Sequence, residues 1–394
     1  MTRTELLIVG AGFAGLPIAL ACAHAGWHVT LVDPKTTVDP ASGDPLDQQC
    51  TAISSASEGL LKRWGAWNAI EPDAQPIRQV HISQKGYLGS VHLNADDLSV
   101  AALGYVVENR HWVAAMSEQV QASANIRWIR GETLNSLSDN TDDALVAELT
   151  SGEKIQAQLL VAADGINSHV RELMGGSENL KDFKQQALMS TLRLSKPHEA
   201  TAFERFTSTG PLALLPRPNN HMSLVWCLPS ADAEFWAGAS EETITDKLQS
   251  LIGFKLGRIQ AMGPSVMVPL LRREAVQQTH KRTILLGNSA RLLHPVAGQG
   301  FNLVLRDLAC LLDLIGLQND SAAQDPGRED VLEAFVTQRH KDQQRVVGLT
   351  DSLAVGFLGE ASLPAHLRGL GLIGLDSFGP LRRQFARSTM GYTG

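Results

Sequence analysis

The segment Gly10-Ala11-Gly12-Phe13-Ala14-Gly15 constrains this chain more than any other feature, because it joins the apolar run Leu6-Leu7-Ile8-Val9 to a helix-like stretch from Ala14 to Ala25. Three glycines at this spacing between a strand and a helix predict a βαβ unit that holds a dinucleotide. Gly10 permits the tight turn, Gly12 lets backbone amides approach a pyrophosphate, and Gly15 allows the helix to pack closely on the strand. Phe13 and Ala14 complete the turn, and the positive end of the helix faces the same anion. Pro17 falls in the helix's first turn, where its missing N–H is tolerated. A second strand is expected from Trp27 to Val32. Asp33, 23 residues after Gly10, ends it and can accept hydrogen bonds from ribose hydroxyls. Standing before Pro34, Asp33 also fits a turn residue. The pattern by itself does not separate NAD from FAD.

A chain of 394 residues with 44% apolar side chains and 34 glycines has material for two or three domains around α/β cores. Its formal charge of −7, from 34 basic and 41 acidic side chains without a long basic run, gives no electrostatic footprint for nucleic acid. Cys22, Cys50, Cys227 and Cys310 are widely separated with no C-x-x-C pair. Neither a metal site nor a disulfide framework is expected, and a reducing cytoplasm is the expected home. Met1 to Glu5 run directly into the first strand, leaving no room for a secretion signal. The most apolar later stretch, Phe301 to Leu317, is interrupted by Arg306, Asp307 and Asp313 and reads as an amphipathic helix.

From about Gln79 to Leu93, and again from about Gln185 to Leu228, short alternating runs separated by Gly, Pro and Asn predict an antiparallel sheet. Ile126 to Ile129, Ile155 to Ala163 and Thr283 to Leu286 read as buried strands that return to the first sheet. The expected fold is α/β, with a discontinuous Rossmann-like nucleotide domain (1–78, 100–178 and 270–325) interleaved with an antiparallel-sheet substrate domain (79–99 and 179–269). A C-terminal helical segment (326–394) follows.

Two further motifs carry chemistry. In Ala163-Asp164-Gly165-Ile166-Asn167-Ser168-His169-Val170-Arg171, a carboxylate, a glycine and a basic residue emerge together after a strand, where open α/β sheets bind ligands. Asp164 or Ser168 also fits a helix N-cap, with Arg171 solvated. Gly287-Asn288-Ser289-Ala290 is followed by His294-Pro295-Val296-Ala297-Gly298-Gln299-Gly300-Phe301-Asn302 and a helix. Glycines beside a helix start present backbone amides and a positive dipole end to an anion.

These three motifs, in this order, resemble the flavin monooxygenases of the para-hydroxybenzoate hydroxylase fold, and among them the ubiquinone-biosynthesis flavin hydroxylases. The likeness extends to Ala102-Leu103-Gly104-Tyr105-Val106-Val107-Glu108, Ala202-Phe203-Glu204-Arg205-Phe206-Thr207, the run from Gly210 to Pro216, Ser223 to Cys227, and Thr350 to Leu353, and so covers nearly the whole chain. It implies FAD as cofactor, NADPH or NADH as transient reductant, O2, and a polyprenyl phenol, a polyprenylated methoxyphenol, as the ring hydroxylated. It also implies a ubiquinone-biosynthesis protein assembly as a partner and at most peripheral contact with the inner membrane. Gly10, Gly12, Phe13, Ala14, Gly15, Asp33, Asp164, Gly165, Arg171, Gly287, Phe301 and Asn302 are the cofactor residues the resemblance implies. Pro295, Gly298, Gln299 and Gly300 would meet the flavin ring.

The family pattern is broken in places. An Arg usual two residues after an Asp is absent, since Asp47 is followed by Gln48 and Gln49. Gln49 keeps a hydrogen-bond donor but removes a charge that would pair with phosphate. Asn288 replaces an Asp, keeping an acceptor oxygen. Asn109 stands where relatives place Arg or Gln near the flavin, and it also fits a loop asparagine. His294 reads either as a base at neutral pH or as a residue that fixes loop geometry before Pro295. Deprotonation of the phenol would raise its ring nucleophilicity, but the sequence names no residue for that task. Leu353 to Phe378 reads as core helices or as a surface for a lipid tail. A hydroxylase acting at another ring position or on another aromatic, an NAD-dependent dehydrogenase, and a non-catalytic scaffold motivated by Gln49 and Asn288 remain the alternatives.

Overall fold

Strand Thr2–Val9 ends in the glycine turn and helix Gly15–His24 leaves it, as the spacing predicts. Gly10 has φ +100°, and a Cβ there would lie 2.5 Å from the Ala163 carbonyl oxygen; a Cβ on Gly15 would lie 1.7 Å from the Gly10 carbonyl oxygen. Both glycines are therefore required by close backbone approach. The computed structural model describes residues 1–36, 49–141, 143–316, 325–356 and 362–392. Asp47 and Gln48 lie outside the described residues.

Thr283–Leu285, Lys154–Ala162, Thr2–Val9, Val29–Asp33 and Ile126–Arg130 lie side by side as a parallel sheet. The three strands expected to return to the first sheet do so. The chain leaves the central strand Thr2–Val9 on one side and comes back on the other, which makes a switch point at the carboxyl ends. The sequence reading did not anticipate the hairpin Leu134–Thr141 and Ala144–Leu149, which extends this sheet antiparallel from Lys154–Ala162.

A second sheet of nine strands runs Arg291–Leu292, Val266–Ala275, Glu178–Leu194, His221–Pro229, Gly210–Arg217, Thr201–Thr207, Gln79–Gln84 and Ser90–Asn94, with Ile259–Met262 beside Glu178–Leu194. It is antiparallel except where Gln79–Gln84 meets Thr201–Thr207 in parallel. Those two strands come from distant segments, so no hairpin dictates their direction. A third small sheet, Cys50–Ser54, Gly104–Glu108 and Gln75–Ile77, was not expected from the sequence.

The two faces of the nine-stranded sheet differ. On one, Leu188, Leu192, Leu212, Leu214, Leu224 and Trp226 pack fully buried against Ile244, Leu248 and Leu251 of helix Glu241–Ile252. Side chains alternate along a strand, so Met189, Thr191, Ala213, Leu215 and Val225 point to the other face. They remain only half-buried although their strands are central. Around them this inner face is covered by Ile77 and Val106 of the small sheet, and by helices Ser362–Ser377 and Gly379–Thr389 against Ile82, Val91 and Leu93. Among the described residues no helix is long and apolar enough to cross a membrane.

Candidate active site

All three motifs open at the carboxyl ends of the parallel strands onto one cavity of about 620 Å³. Gly10, Gly12, Phe13, Ala14 and Asp33 line it from the first motif, Asp164 and Gly165 from the second, Gly287, Asn288, Gly300 and Phe301 from the third, and Asn109 from the start of helix Asn109–Ala122.

A Cβ on Gly12 or on Gly300 would meet no atom within 4 Å, so at both places the backbone faces open cavity. Helix Gly15–His24 has no side-chain cap and no acid in its first turn. Leu16 and Ile18 donate to the Gly12 and Ala14 carbonyls and Pro17 has no N–H, so the amides of the preceding turn at Gly12, Phe13 and Ala14, with the positive end of the helix, are what the cavity offers an anion. Asp33 is buried. Its Oδ2 accepts from the Ala11 amide at 2.6 Å and its Oδ1 from the Lys35 amide at 2.8 Å. The carboxylate thus braces the glycine turn, and the lone pairs left over face the cavity. Asp164 Oδ2 accepts from the Val170 amide at 3.0 Å, whereas Oδ1 is buried without a partner among the described residues. An orphaned carboxylate oxygen beside a phosphate-sized cradle suits a ligand rich in hydroxyl donors. Gly287 lies against the first motif, its Cβ position 3.2 Å from Ala14 Cβ. These residues fit FAD: a glycine cradle for its pyrophosphate and acceptors for its ribose and ribityl hydroxyls.

The other expected residues lie behind the cavity wall. Gly15 packs under Gly10. Ser168 caps helix His169–Leu173, its Oγ accepting from the Arg171 amide at 3.0 Å, but the Arg171 side chain is buried and not solvated, donating to the Ser289 and Ile166 carbonyls at 2.8 and 3.1 Å and pairing with Glu178 at 3.0 Å. Asn302 donates to the Ala52 and Gly298 carbonyls and accepts from the Ser54 amide, pinning the flavin loop to strand Cys50–Ser54. Gln299 Nε2 donates to the Thr389 carbonyl at 3.0 Å. Gln49 Nε2 is buried without a partner among the described residues, while the Gln49 carbonyl accepts from the Asn109 amide at 2.8 Å. Pro295 precedes the turn Val296–Gly298, and Gly298, with φ +57°, starts helix Gln299–Leu314. A Cβ on Gly298 would sit 3.2 Å from Ala52 Cβ.

Two contributors escape sequence reasoning. Trp112 stacks on Phe13 (ring centroids 4.9 Å), meets Phe301 edge-on at 5.1 Å and donates from Nε1 to the Phe13 carbonyl at 3.1 Å. Thr51 donates to Asn109 Oδ1 at 2.8 Å, and both line the cavity. Their partners are remote in sequence, so no local pattern marks either residue.

His294 is 1% exposed and outside the cavity. Its Nδ1 accepts from the Val296 amide at 3.2 Å, which makes Nε2 the protonated nitrogen facing Gln185 Oε1 at 3.3 Å. Burial lowers its pKa from the ordinary 6.5 to about 4. The unfolded chain therefore binds this proton first on acidification, and stability falls as pH drops from about 6.5 toward 4. Over that window the wild type should lose on the order of 3 kcal/mol more than a His294→Asn variant, measured by urea unfolding.

The sequence profile of the family described as FAD binding domain matches residues 3–350. Ubiquinone hydroxylase UbiL of Rhodospirillum rubrum is 31% identical over 98% of this chain and 89% of its own. The 3-demethoxyubiquinol 3-hydroxylase of Escherichia coli is 28% identical over 98% of both chains. The crystal structure of p-nitrophenol 4-monooxygenase PnpA from Pseudomonas putida superposes with a TM-score of 0.77 at 15% identity, over 99% of each chain. With the three motifs gathered on one cavity, the fold and the profile define an FAD-dependent monooxygenase, and the scaffold and dehydrogenase alternatives fall away. The chain belongs to the FAD binding domain family and, within it, to the family of the ubiquinone-biosynthesis flavin hydroxylases.

Proposed function

We propose that this chain hydroxylates a polyprenylated phenol of ubiquinone biosynthesis, converting 2-polyprenyl-6-methoxyphenol to 2-polyprenyl-6-methoxy-1,4-benzoquinol. One oxygen atom of O2 enters the ring, the other leaves as water, and NADPH or NADH supplies the two electrons. The observation that carries this reading is the half-buried, largely apolar row Met189, Val225, Ala213 and Leu215 on the inner face of the nine-stranded sheet, where Leu215 packs against Ile77 and Val106 of the small sheet that carries Ala52. A methoxylated ring with an isoprenoid tail needs such a floor.

Bound FAD supplies the activation of dioxygen. The chain's own residues do the rest. The turn amides at Gly12 to Ala14 and the positive end of helix Gly15–His24 would bind the pyrophosphate, Asp33 and Asp164 would accept from hydroxyls, and the Gly300 amide in the first turn of helix Gln299–Leu314 would meet the ring where negative charge gathers. The apolar floor orients the substrate and excludes water. Exposed Leu370, Ile373 and Phe378 on the C-terminal helices offer the surface by which the lipid substrate is met, at the inner membrane or on a lipid-presenting assembly. A second reading, hydroxylation at another ring position, is favoured by the likeness to the Escherichia coli 3-hydroxylase.

The test is anaerobic reduction of FAD-loaded protein by NADPH with and without 2-prenyl-6-methoxyphenol, followed by oxygen and product analysis. A para-hydroxylated quinol is the expected product. A product hydroxylated elsewhere selects the second reading, and oxidation of NADPH with release of peroxide alone rules out this substrate.

A further inference from the structure

Glu204 lies on strand Thr201–Thr207 opposite Ala213, and so shares the inner face with the half-buried Ala213, Val225 and Met189. Among the described residues its buried Oε1 has no hydrogen-bond partner, and no cation pairs with its carboxylate. On the neighbouring strand, where Ile82 stands beside Glu204, Gln84 Oε1 is likewise buried and unpartnered. Two acceptors without donors on one covered face are costly, because each has given up its hydrogen bonds to water and gained none in return. They point to a donor that arrives from outside the chain.

The flavin loop brackets this position. At one end His294 reaches Gln185 on strand Glu178–Leu194, four residues before Met189. At the other, Gly298 touches Ala52 in the small sheet, whose Val106 packs on Ala202, two residues before Glu204. Met189, Val225, Ala213 and Glu204 fall between these anchors.

The other groups facing this space are accounted for. Glu108 is held by Arg217 and Arg110, Arg217 also donates to Thr191, and Asp351 takes Lys181 and Arg272. Arg205 bonds Ser83 on the opposite face, and the Cys50, Cys227 and His294 side chains are neutral near pH 7, the thiols because burial raises them and the imidazole because burial lowers it. Burial alone raises the Glu204 carboxyl to about 7.

Resting on the hydroxylase reading above, we propose that Glu204 lines the phenol pocket and takes the proton of the substrate's hydroxyl as the ring attacks oxygen. The phenol O–H bond breaks, its electron pair stays on the phenolic oxygen and feeds the ring carbon, and the proton forms an O–H bond with the Glu204 carboxylate. As the ring regains aromaticity the C–H bond at the hydroxylated carbon breaks, its proton passes to solvent, and Glu204 returns its own to the phenolic oxygen. No electrons are exchanged in this step, so it needs no oxidant beyond those of the hydroxylation.

The experiment compares wild type, Glu204→Gln and Glu204→Asp as FAD-loaded full-length proteins. Glu204→Gln should keep its FAD and its reduction by NADPH while hydroxylation of 2-prenyl-6-methoxyphenol falls by about 10²–10⁴-fold. In the wild type kcat/KM should rise with pH through about 7, as the carboxyl ionises. That rise should vanish in Glu204→Gln and persist in Glu204→Asp. Infrared titration of the unreduced protein needs no turnover. It should show one carboxyl ionising near neutral pH, absent in Glu204→Gln and displaced when the phenol binds. Unchanged hydroxylation with the same pH rise in Glu204→Gln, or an infrared band indifferent to the phenol, would overturn the proposal. A wild type that moves this band yet hydroxylates no phenol would instead count against the hydroxylase reading.

Discussion

Gly12→Val should yield a folded protein that does not retain FAD. At Gly12 a Cβ meets nothing within 4 Å and the backbone is not in the left-handed region, so valine enters without strain on the protein itself. It enters the space where the turn's amides would meet the pyrophosphate. Loss of two charge-assisted hydrogen bonds at about 1.5–3 kcal/mol each weakens binding by roughly 10²–10⁴-fold. Gly15→Val is the control, because its Cβ would sit 1.7 Å from the Gly10 carbonyl oxygen and must push helix Gly15–His24 off the sheet. The measurements are flavin absorbance after gel filtration and circular dichroism. Gly12→Val should keep the wild-type spectrum with no bound flavin, and Gly15→Val should lose both. Full flavin in Gly12→Val would move the pyrophosphate site elsewhere.

What could be read in advance was what is contiguous. Gly10, Gly12 and Gly15 act through a turn six residues long, and Asp33 through the strand beside it, so spacing alone places them. The buried apolar runs 155–163 and 283–286 identify parallel strands because so little that is polar interrupts them. Arg171 and Asn302 sit close to where the motifs put them, yet their side chains turn inward to hold carbonyls, a direction spacing cannot give. Glu204 is an extreme case. In sequence it is one charge in an alternating strand and would be assigned to solvent. It becomes a buried acceptor only because the distant strand Gln79–Gln84, the small sheet and the C-terminal helices close over that face. Long-range pairing carries that information, and one sequence does not display it.

Asp307→Ala should be the most destabilising single change in the scaffold that carries the flavin loop. Asp307, on helix Gln299–Leu314, is 3% exposed, and burial raises its pKa against the opposing charges of Arg339 and Arg291. Its Oδ1 accepts from Arg339 Nε at 2.6 Å and from Gln343 Nε2 at 3.1 Å, both on helix Glu329–Gly356. Arg291 Nη1 stands 3.8 Å from Oδ2 and has no hydrogen-bond partner among the described residues. Removing the carboxylate leaves Arg339 with Asp342 at 2.6 Å and Arg291 with Glu274 at 3.6 Å as their remaining counter-charges, so the loss falls at the lower end for a broken buried pair, about 3 kcal/mol. For a protein of ordinary stability, about 5–15 kcal/mol, that is a large fraction of the whole. Asp307→Asn keeps an acceptor for Arg339 and should lose less, which separates the missing charge from the missing contact. Because the helix begins at Gln299, beside the flavin loop, Asp307→Ala should also release FAD at lower urea than it unfolds the nine-stranded sheet. A loss below about 1 kcal/mol in urea unfolding would mean that the guanidinium groups reach water when the acid is gone, and that the network behaves as a surface ion pair.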